Sequence, residues 1–316
     1  MNAISELYQS LDREVGKVIV GQKTALRLIV VALVSEGHVL LEGVPGLAKT
    51  TIVRALSAAL GLEFRRLQFT PDLMPSDVIG TQIFDFQQGK FHLVQGPVFT
   101  NILLADEINR SPAKTQSALL EAMQERQVSI EGTAKHLPQP FLVIATENPV
   151  EYEGTYPLPE AQLDRFLFKI LLDYPSAEEE LTILKQHRGD NAGLSELLGS
   201  VDKVADADVL RQAKEESMSV SIQPAISKYI IEIVRRTRND ENIQLGGSPR
   251  ASLYLQVAAR TLAALEGRDY VIPDDVKELV FPVLRHRILL TASSEVEGLG
   301  ADEVLRVVVN SVPVPR

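Results

Sequence analysis

Hydrophobic positions in the first 174 residues fall into two kinds of segment. Short apolar runs, and at residues 63–69 an alternation of apolar and polar positions, predict strands, whereas apolar side chains spaced three or four residues apart predict amphipathic helices. The predicted strands occupy residues 38–41, 63–69, 102–105, 141–146 and 167–172, and the predicted helices occupy 2–18, a segment that ends near Leu33, 51–60 and 112–125. This alternation of strands and helices is typical of an open α/β sheet.

Two stretches between these elements are expected to form hairpins. Residues 80–98 carry apolar side chains on both sides of Gln87-Gln88-Gly89-Lys90, which predicts two short strands joined by a turn. Residues 127–130 and 136–140 flank Glu131-Gly132-Thr133 in the same way. The first hairpin could be an ordinary edge hairpin or an exposed pore or substrate loop.

The pattern changes near Tyr174-Pro175, where we place a domain boundary. Residues 1–174 are predicted to form the α/β domain, and residues 175–316 an α-helical domain with almost no strand signal. Its helices are predicted at 176–187, 206–216, 224–238, 249–266 and 273–286, with proline near the start of the last three. Residues 190–204 are polar and contain glycine, which predicts a loop.

Composition excludes several classes of function. The chain has 316 residues, of which 45% are hydrophobic and 23% charged, as in ordinary soluble globular proteins. It contains no cysteine, which excludes disulfides, thiolate nucleophiles and cysteine zinc sites. No apolar run approaches the roughly 18 residues of a membrane span and no signal pattern opens the chain, so we expect a cytoplasmic protein. The net charge of −10 argues against a general nucleic-acid binder.

The candidate chemistry begins with Gly43-Val44-Pro45-Gly46-Leu47-Ala48-Lys49-Thr50, which lies between the first strand and a helix that opens at Thr51. Such a loop can bind phosphate, because small residues let backbone N–H groups close around the oxygens and the helix N-terminus adds its positive dipole end. Lys49 would reach the β- and γ-phosphates, and Thr50 would bind Mg²⁺. The usual pattern has glycine at Ala48, where alanine is tolerated with helical dihedrals and costly with a positive φ. Alone, the stretch could also be an ordinary strand–turn–helix junction.

Polar side chains also follow two later strands. The third strand ends in Asp106-Glu107, and two carboxylates at the end of a buried strand need a cation or a reacting water beside them. Asp106 would bind Mg²⁺, directly or through water, and Glu107 would act as general base on the attacking water. Asn148 follows the fourth strand at the same sheet edge, where it could orient that water or merely cap the turn before Pro149.

Two arginines and one apolar segment allow more than one interpretation. Arg165, next to Asp164, could form a surface ion pair or reach the nucleotide of a neighbouring subunit. Arg250 lies in the first turn of a predicted helix, where a cation opposes the helix dipole, so a phosphate contact outside the helix is favoured. Ile19 and Val20 precede the loop and could contact an adenine ring or belong to the core.

In this order, the motifs resemble those of the AAA+ ATPases, and within them those of the MoxR family. The matching stretches are LLEGVPGLAKT (40–50), LLADEINRSPAKTQSALLEAMQE (103–125), ATENP (145–149), LPEAQLDRF (158–166) and GGSPRA (246–251). The family version of the phosphate loop often has alanine at the position of Ala48. The resemblance implies a parallel five-stranded sheet with a C-terminal helical lid, a helix-2 insert at 80–98 and a pre-sensor-1 hairpin at 127–140.

The resemblance also implies roles for individual residues. The matches are Lys49 and Thr50 to the P-loop pair, Asp106 and Glu107 to the Walker B pair, Asn148 to sensor 1, Arg250 to sensor 2, and Arg165 to the arginine finger that is given in trans. Arg110 is a second candidate for the finger.

Proteins of this family bind ATP and Mg²⁺, assemble as ring hexamers, and act as chaperone-like ATPases beside partners with a von Willebrand factor A domain. The sequence therefore predicts an ATP-hydrolysing protein that remodels, matures or activates protein partners. One alternative is a nucleic-acid translocase or helicase subunit, which the acidic net charge disfavours. The other is a nucleotide-dependent scaffold without hydrolysis, which the presence of Asp106, Glu107 and Asn148 disfavours.

Overall fold

The computed structural model describes residues 3–148, 155–186 and 191–315, without the side chains of residues 186, 191 and 192. The helices are α1 (Ala3–Val15), α2 (Lys23–Val34), α3 (Lys49–Leu60), α4 (Pro75–Ile79), α5 (Ala113–Glu125), α6 (Glu160–Leu163), α7 (Ala177–Gln186), α8 (Asn191–Gly199), α9 (Ala207–Ser219), α10 (Pro224–Thr237), α11 (Pro249–Leu265), α12 (Pro273–Leu284), α13 (Ala292–Val296) and α14 (Ala301–Ser311). The strands are β1 (Val39–Glu42), β2 (Phe64–Gln68), β3 (Gly80–Asp85), β4 (Lys90–Gln95), β5 (Ile102–Asp106), β6 (Gln127–Ile130), β7 (Thr133–His136), β8 (Leu142–Glu147), β9 (Phe168–Leu171), β10 (Ile243–Leu245) and β11 (Leu289–Leu290). Pro149 and His187, which end a predicted motif and a predicted helix, lie outside the described residues.

The central sheet has five parallel strands in the order β2-β5-β8-β1-β9. These are the five strands predicted from the pattern of apolar positions, so that prediction is confirmed. Gln68 pairs with Asp106, and Glu42 pairs with Glu147, so the carboxyl ends of β1, β2, β5 and β8 lie along one edge of the sheet. The chain therefore brings the segments that follow these strands to the same side of the molecule.

The core lies on both faces of this sheet. Because side chains alternate along a strand, Val39 and Leu41 of β1 join the core on one face and Leu40 joins the core on the other. The first core is continuous from α1, α2 and α3 into the C-terminal helices α9 to α12 and α14, and the second contains α5. Burial on both faces explains why β1, β5 and β8 read as apolar runs.

Both predicted hairpins are present. β3 pairs with β4 but with no strand of the central sheet in the described residues, so the first hairpin is not an edge hairpin of that sheet. Its aromatic side chains lie in solvent, and Phe86 is 90% exposed. In the second hairpin the predicted strand at 136–140 is wrong, because the second strand is Thr133–His136. The turn consists of Glu131 and Gly132, both with positive φ (48° and 75°), as a two-residue hairpin turn requires.

The C-terminal part is mainly helical, as predicted, with two exceptions. Residues 190–204 were expected to form a loop, but α8 (Asn191–Gly199) lies there. Leu194, Leu197 and Leu198 of α8 pack on the core at helical spacing, and this outweighs the glycine and polar content of the segment. The short pair β10 and β11 was not predicted, because two or three residues are too few to show a period. In the described ranges, no helix is long and apolar enough to cross a membrane.

Candidate active site

One cavity at the carboxyl edge of the sheet brings the predicted motifs together. It has a volume of about 470 Å³. Its walls are formed by Pro45, Gly46, Ala48, Lys49, Thr50, Thr51, Arg66, Asp106, Glu107 and Asn148. Of these residues, Arg66 was not anticipated from the sequence. The other predicted loop residues, Gly43, Val44 and Leu47, lie behind the wall, where Leu47 is buried in the core and Val44 packs against it.

Ala48 adopts the left-handed backbone conformation, which is less stable for alanine than for glycine. It precedes α3 with φ 55° and ψ 23°, in the left-handed region. A left-handed conformation costs a residue with a Cβ about 1–2 kcal/mol. The loop thus keeps strain at the wall of the cavity, as binding sites often do.

Lys49 reaches across the loop. Its Nζ donates to the carbonyl of Gly43 at 2.7 Å and to that of Glu147 at 3.3 Å. Burial lowers the pKa of the Lys49 amine, against the opposing effect of Asp106 and the other nearby carboxylates. Carbonyl oxygens compensate a buried ammonium only in part, so an anion in the cavity would stabilise its charge.

Asp106 is held by two neighbouring strands. Its Oδ2 accepts hydrogen bonds from Arg66 Nε at 3.0 Å and Nη2 at 2.6 Å, and its Oδ1 accepts one from Thr146 Oγ1 at 2.6 Å. Arg66 is 49% exposed at its side chain and Asp106 is 12% exposed, so the ion pair lies at the rim of the cavity. A cation that binds Asp106 must compete with Arg66.

Glu107 is the second carboxylate, and its backbone is strained. Its φ of 56° and ψ of 53° are left-handed, and its N–H donates to Thr146 Oγ1 at 2.8 Å. Its Oε2 accepts hydrogen bonds from Gln68 Nε2 at 2.7 Å and Arg110 Nη1 at 3.2 Å. The Thr146 hydroxyl therefore contacts Asp106 and the backbone of Glu107 at once, while β2 supplies a donor to each carboxylate.

Sequence analysis missed these supporting residues. Arg66 and Gln68 are two residues apart on β2, so they point to the same face of the strand. Strand periodicity predicts that shared face, but their contact with Asp106 and Glu107 depends on which strand pairs with β2. Thr146, one residue before the end of β8, is apparent only once β8 is known to lie beside β5.

A partly apolar cavity adjoins the first one. It has a volume of about 370 Å³; Ile19, Val20, Leu26 and Ile52 line its apolar part, and its other lining residues include Asp12, Arg13 and Lys23. Thr51 lines the first cavity and the next residue of α3 lines this one, so the two cavities are neighbours. Ile19 belongs to the core and also lines this cavity, so a contact with adenine stays a prediction.

Arg165 and Arg250 lie elsewhere. Both line a third cavity, of about 170 Å³, together with Gly37 and His38, which precede β1. This is the amino edge of the sheet, opposite the edge that carries Lys49. Strands rise about 3.3 Å per residue, so the four steps from His38 to Glu42 separate the two edges by about 13 Å. The structure therefore does not bring Arg250 to the phosphate loop of its own chain.

A buried arginine holds this region together. Arg287 is 1% exposed at its side chain, and its Nε donates to Asp164 Oδ1 at 2.8 Å. Its guanidinium also donates to the carbonyls of Phe166 and Val283 and stacks on Tyr254 at 4.8 Å. The carboxylate of Asp164 thus pairs with Arg287 rather than with the adjacent Arg165, which donates to the carbonyl of Leu120 at 2.7 Å. This network fixes α11 and α12 to the segment before β9.

The residues of the two adjoining cavities fit a nucleotide with Mg²⁺. The apolar side of the second cavity suits a purine, and a lysine beside a helix N-terminus suits phosphates. Thr50 and Asp106 offer the oxygen donors that Mg²⁺ prefers. Among the described residues, no group of three or more His, Cys, Asp or Glu could hold a metal. Mg²⁺ usually takes one or two protein carboxylates and completes its shell with water and substrate phosphates.

Comparisons with known proteins agree with this geometry. Residues 38–168 match the family model described as ATPase family associated with various cellular activities (AAA), and residues 235–307 match that of the AAA lid domain. Chaperone MoxR1 of Mycobacterium tuberculosis is 46% identical over 96% of this chain and 81% of its own. The uncharacterized protein YeaC of Bacillus subtilis is 46% identical over 95% of this chain and 92% of its own.

Solved structures extend the likeness to the fold. The crystal structure of a Cytophaga hutchinsonii protein, assigned as an ATPase, superposes with a TM-score of 0.90 and 43% sequence identity over 99% of this chain and 96% of that one.

A further sequence relative carries the family name. The protein named MoxR from Methylorubrum extorquens is 32% identical over 96% of this chain and 94% of its own. The chain therefore belongs to the MoxR family of AAA+ ATPases.

Proposed function

We propose that this protein hydrolyses ATP with Mg²⁺ at the cavity of Lys49 and uses the cycle to remodel, mature or activate protein partners. The observation that carries the proposal is the convergence of Lys49, Asp106, Glu107 and Asn148 on one cavity. A phosphate-binding amine, a metal ligand, a base and a water-orienting amide are the groups that phosphoryl transfer to water requires.

The residues of the two adjoining cavities would each have a distinct role in binding ATP and Mg²⁺. Lys49 would exchange its carbonyl partners for phosphate oxygens, and Ile19 and Val20 would contact the adenine. Thr50 and Asp106 would hold Mg²⁺, which supplies positive charge to the phosphate oxygens when bound. Asp106 must then release Arg66.

Glu107 would accept the proton of the attacking water. Its Oε2 accepts hydrogen bonds from Gln68 and Arg110, which orient the carboxylate, so Oε1 would be the oxygen that accepts the water O–H. Asn148, buried in the same wall, would orient that water.

We further propose that Arg165 is the arginine finger and acts on the nucleotide of a neighbouring copy in a ring, which we take to be a hexamer. Its position at the amino edge of the sheet supports this assignment, since about 13 Å of β1 separates it from its own phosphate loop. The alternative, Arg110, donates to Glu107 of its own chain at 3.2 Å. A heterologous interface in a closed ring places different edges of neighbouring copies against each other.

The remaining assignments concern domains and partners. We propose domains at 1–174 and 175–316, and a partner with a von Willebrand factor A domain. The exposed β3–β4 hairpin, with Phe84, Phe86 and Phe91 in edge contact, is our candidate for the surface that binds a client protein.

Substitution of the base tests the proposal. Glu107→Gln should bind ATP and Mg²⁺ like the wild type while steady-state phosphate release falls by at least 10²-fold, because the amide cannot accept the proton. Glu121→Gln, an exposed glutamate on α5, is the matched control and should leave turnover unchanged. Wild-type phosphate release from Glu107→Gln, or its absence from the wild-type protein, would refute the assignment.

A further inference from the structure

We propose that each copy supplies Arg126, as well as Arg165, to its neighbour's nucleotide, where Arg126 binds the γ-phosphate in the cavity that Arg165 and Arg250 also line. We further propose that Glu36 occupies this arginine until the phosphate arrives. The inference rests on the proposed ATPase function and extends it to a residue outside the family motifs considered above.

The first observation is the cavity at the amino edge of the sheet. Its walls are formed by Glu36, Gly37, His38, Met123, Gln124, Arg126, Arg165, Arg250 and Tyr254. At about 170 Å³ it has room for several water molecules, so a phosphate group can enter. Three arginines therefore line a space of the size of the ligand that a guanidinium prefers.

The second observation is the charge balance around that space. Glu36 is the only carboxylate in the wall of this cavity among the described residues, against three arginines. Its Oε1 also accepts from Lys214 Nζ at 2.6 Å, which adds a fourth cation. Asp164 is 3.9 Å from Arg250 but is already paired with Arg287. The local excess of positive charge favours an incoming anion.

The third observation is how Arg126 is held. Its Nη1 lies 2.9 Å from Glu36 Oε2, and its Nη2 donates to the Glu36 carbonyl at 3.2 Å. A carboxylate and a carbonyl occupy the two ends of the guanidinium fork, as two phosphate oxygens would. The side chain is 32% exposed, so a ligand from outside can reach it. Glu36 thus acts as a placeholder: it binds the guanidinium of Arg126 in place of a phosphate group.

The phosphate cannot come from the same copy. Arg126 follows α5 and lies beside His38 at the amino edge, whereas Lys49 and Glu107 lie at the carboxyl edge. A neighbouring copy that presents its carboxyl edge to this cavity would place its γ-phosphate among the three arginines. Arg126 then stabilises charge during transfer in the neighbour.

Mixed assemblies test the proposal. Arg126→Ala alone should retain binding of a fluorescent ADP analogue, because its phosphate loop is intact, but should lose 10-fold to 100-fold of its turnover. Lys49→Ala alone should not hydrolyse ATP. Mixed in equal amounts, the two should recover about one quarter of wild-type turnover, because one interface in four pairs an intact loop with an intact Arg126.

Controls separate the outcomes. Arg211→Ala removes an exposed arginine of α9 and should leave turnover unchanged. If Arg126→Ala does not fold, Arg126→Gln, which keeps a donor for the Glu36 carbonyl, replaces it. Wild-type turnover of the Arg126 variant, or no recovery on mixing while Arg165→Ala recovers with Lys49→Ala, would overturn the proposal. Absence of hydrolysis by the wild type would instead overturn the function on which it rests.

The placeholder has its own test. Glu36→Gln removes the competing charge and keeps a similar shape, so in the assembled protein the KM for ATP should fall several-fold. An unchanged or raised KM would overturn the role of Glu36.

Discussion

Replacing Arg66 by alanine should strengthen the binding of ADP with Mg²⁺. Arg66 holds Oδ2 of Asp106 through two hydrogen bonds of 3.0 and 2.6 Å, and this carboxylate is the proposed metal ligand. Direct binding of Mg²⁺ at Oδ2 would displace the guanidinium, so the free energy of the ion pair opposes metal binding there. The variant removes that opposition and leaves the Thr146 hydrogen bond to Asp106 in place.

The size of the expected change in affinity depends on how far the Arg66 side chain is exposed to solvent. A buried charge-assisted pair would contribute about 1.5–3 kcal/mol, but solvent reaches the 49% exposed Arg66 and weakens the interaction to about 1 kcal/mol. A change of 1 kcal/mol is about fivefold in a dissociation constant. We therefore expect the Kd for ADP with Mg²⁺ to fall about fivefold and the Kd for ADP in EDTA to stay unchanged.

Fluorescence titration of isolated subunits with a labelled ADP, with Mg²⁺ and with EDTA, measures both constants. ADP is used because it lacks the γ-phosphate, which Arg66 could contact directly. Arg65→Ala is the matched control, since this neighbour points to the other face of β2 and pairs with Glu63. A weaker Mg²⁺-dependent affinity of the Arg66 variant would refute the competition between Arg66 and the metal.

Three further predictions concern stability, each measured by urea unfolding. Ala48→Gly should raise the free energy of unfolding by up to about 1 kcal/mol, because relief of the left-handed strain at this position exceeds the entropic cost of glycine. A lower free energy of unfolding would contradict the presence of that strain. Arg287→Met should cost about 3–5 kcal/mol, because Asp164 is left without its buried partner, whereas Arg211→Met should cost almost nothing. Burial lowers the pKa of His38 to about 4, below its unfolded value of 6.5, so this histidine stabilises the fold above pH 6.5 and loses about 3 kcal/mol of that contribution as the pH falls to 4. A His38→Gln variant should show a flatter pH profile of stability, and an identical profile would contradict this attribution.

Sequence reasoning worked best where the signal is local. Of the five central strands, β1, β5 and β8 were predictable because they are buried on both faces and must be mainly apolar. The phosphate loop and Asp106-Glu107 are contiguous stretches whose chemistry depends on neighbours along the chain.

The rest of the candidate site depends on tertiary packing. Gln68 contacts Glu107 only because β2 pairs with β5, and the sequence does not state strand order. Arg250 was correctly placed in the first turn of a helix, but the edge of the sheet that it faces is set by the packing of α11 on α2 and by Arg287. Distance along the chain carries no information on such contacts.

The continuous core described above limits how a single copy can change shape. Residues as far apart as Ile4 and Val312 belong to one buried cluster, in which α2 packs against α11. Opening a cleft through it would expose apolar surface at about 25 cal/mol per Å², so 400 Å² would cost about 10 kcal/mol. We therefore expect each copy to move as one rigid body, so that the mechanical work of the assembly is done by rotation of whole copies against each other.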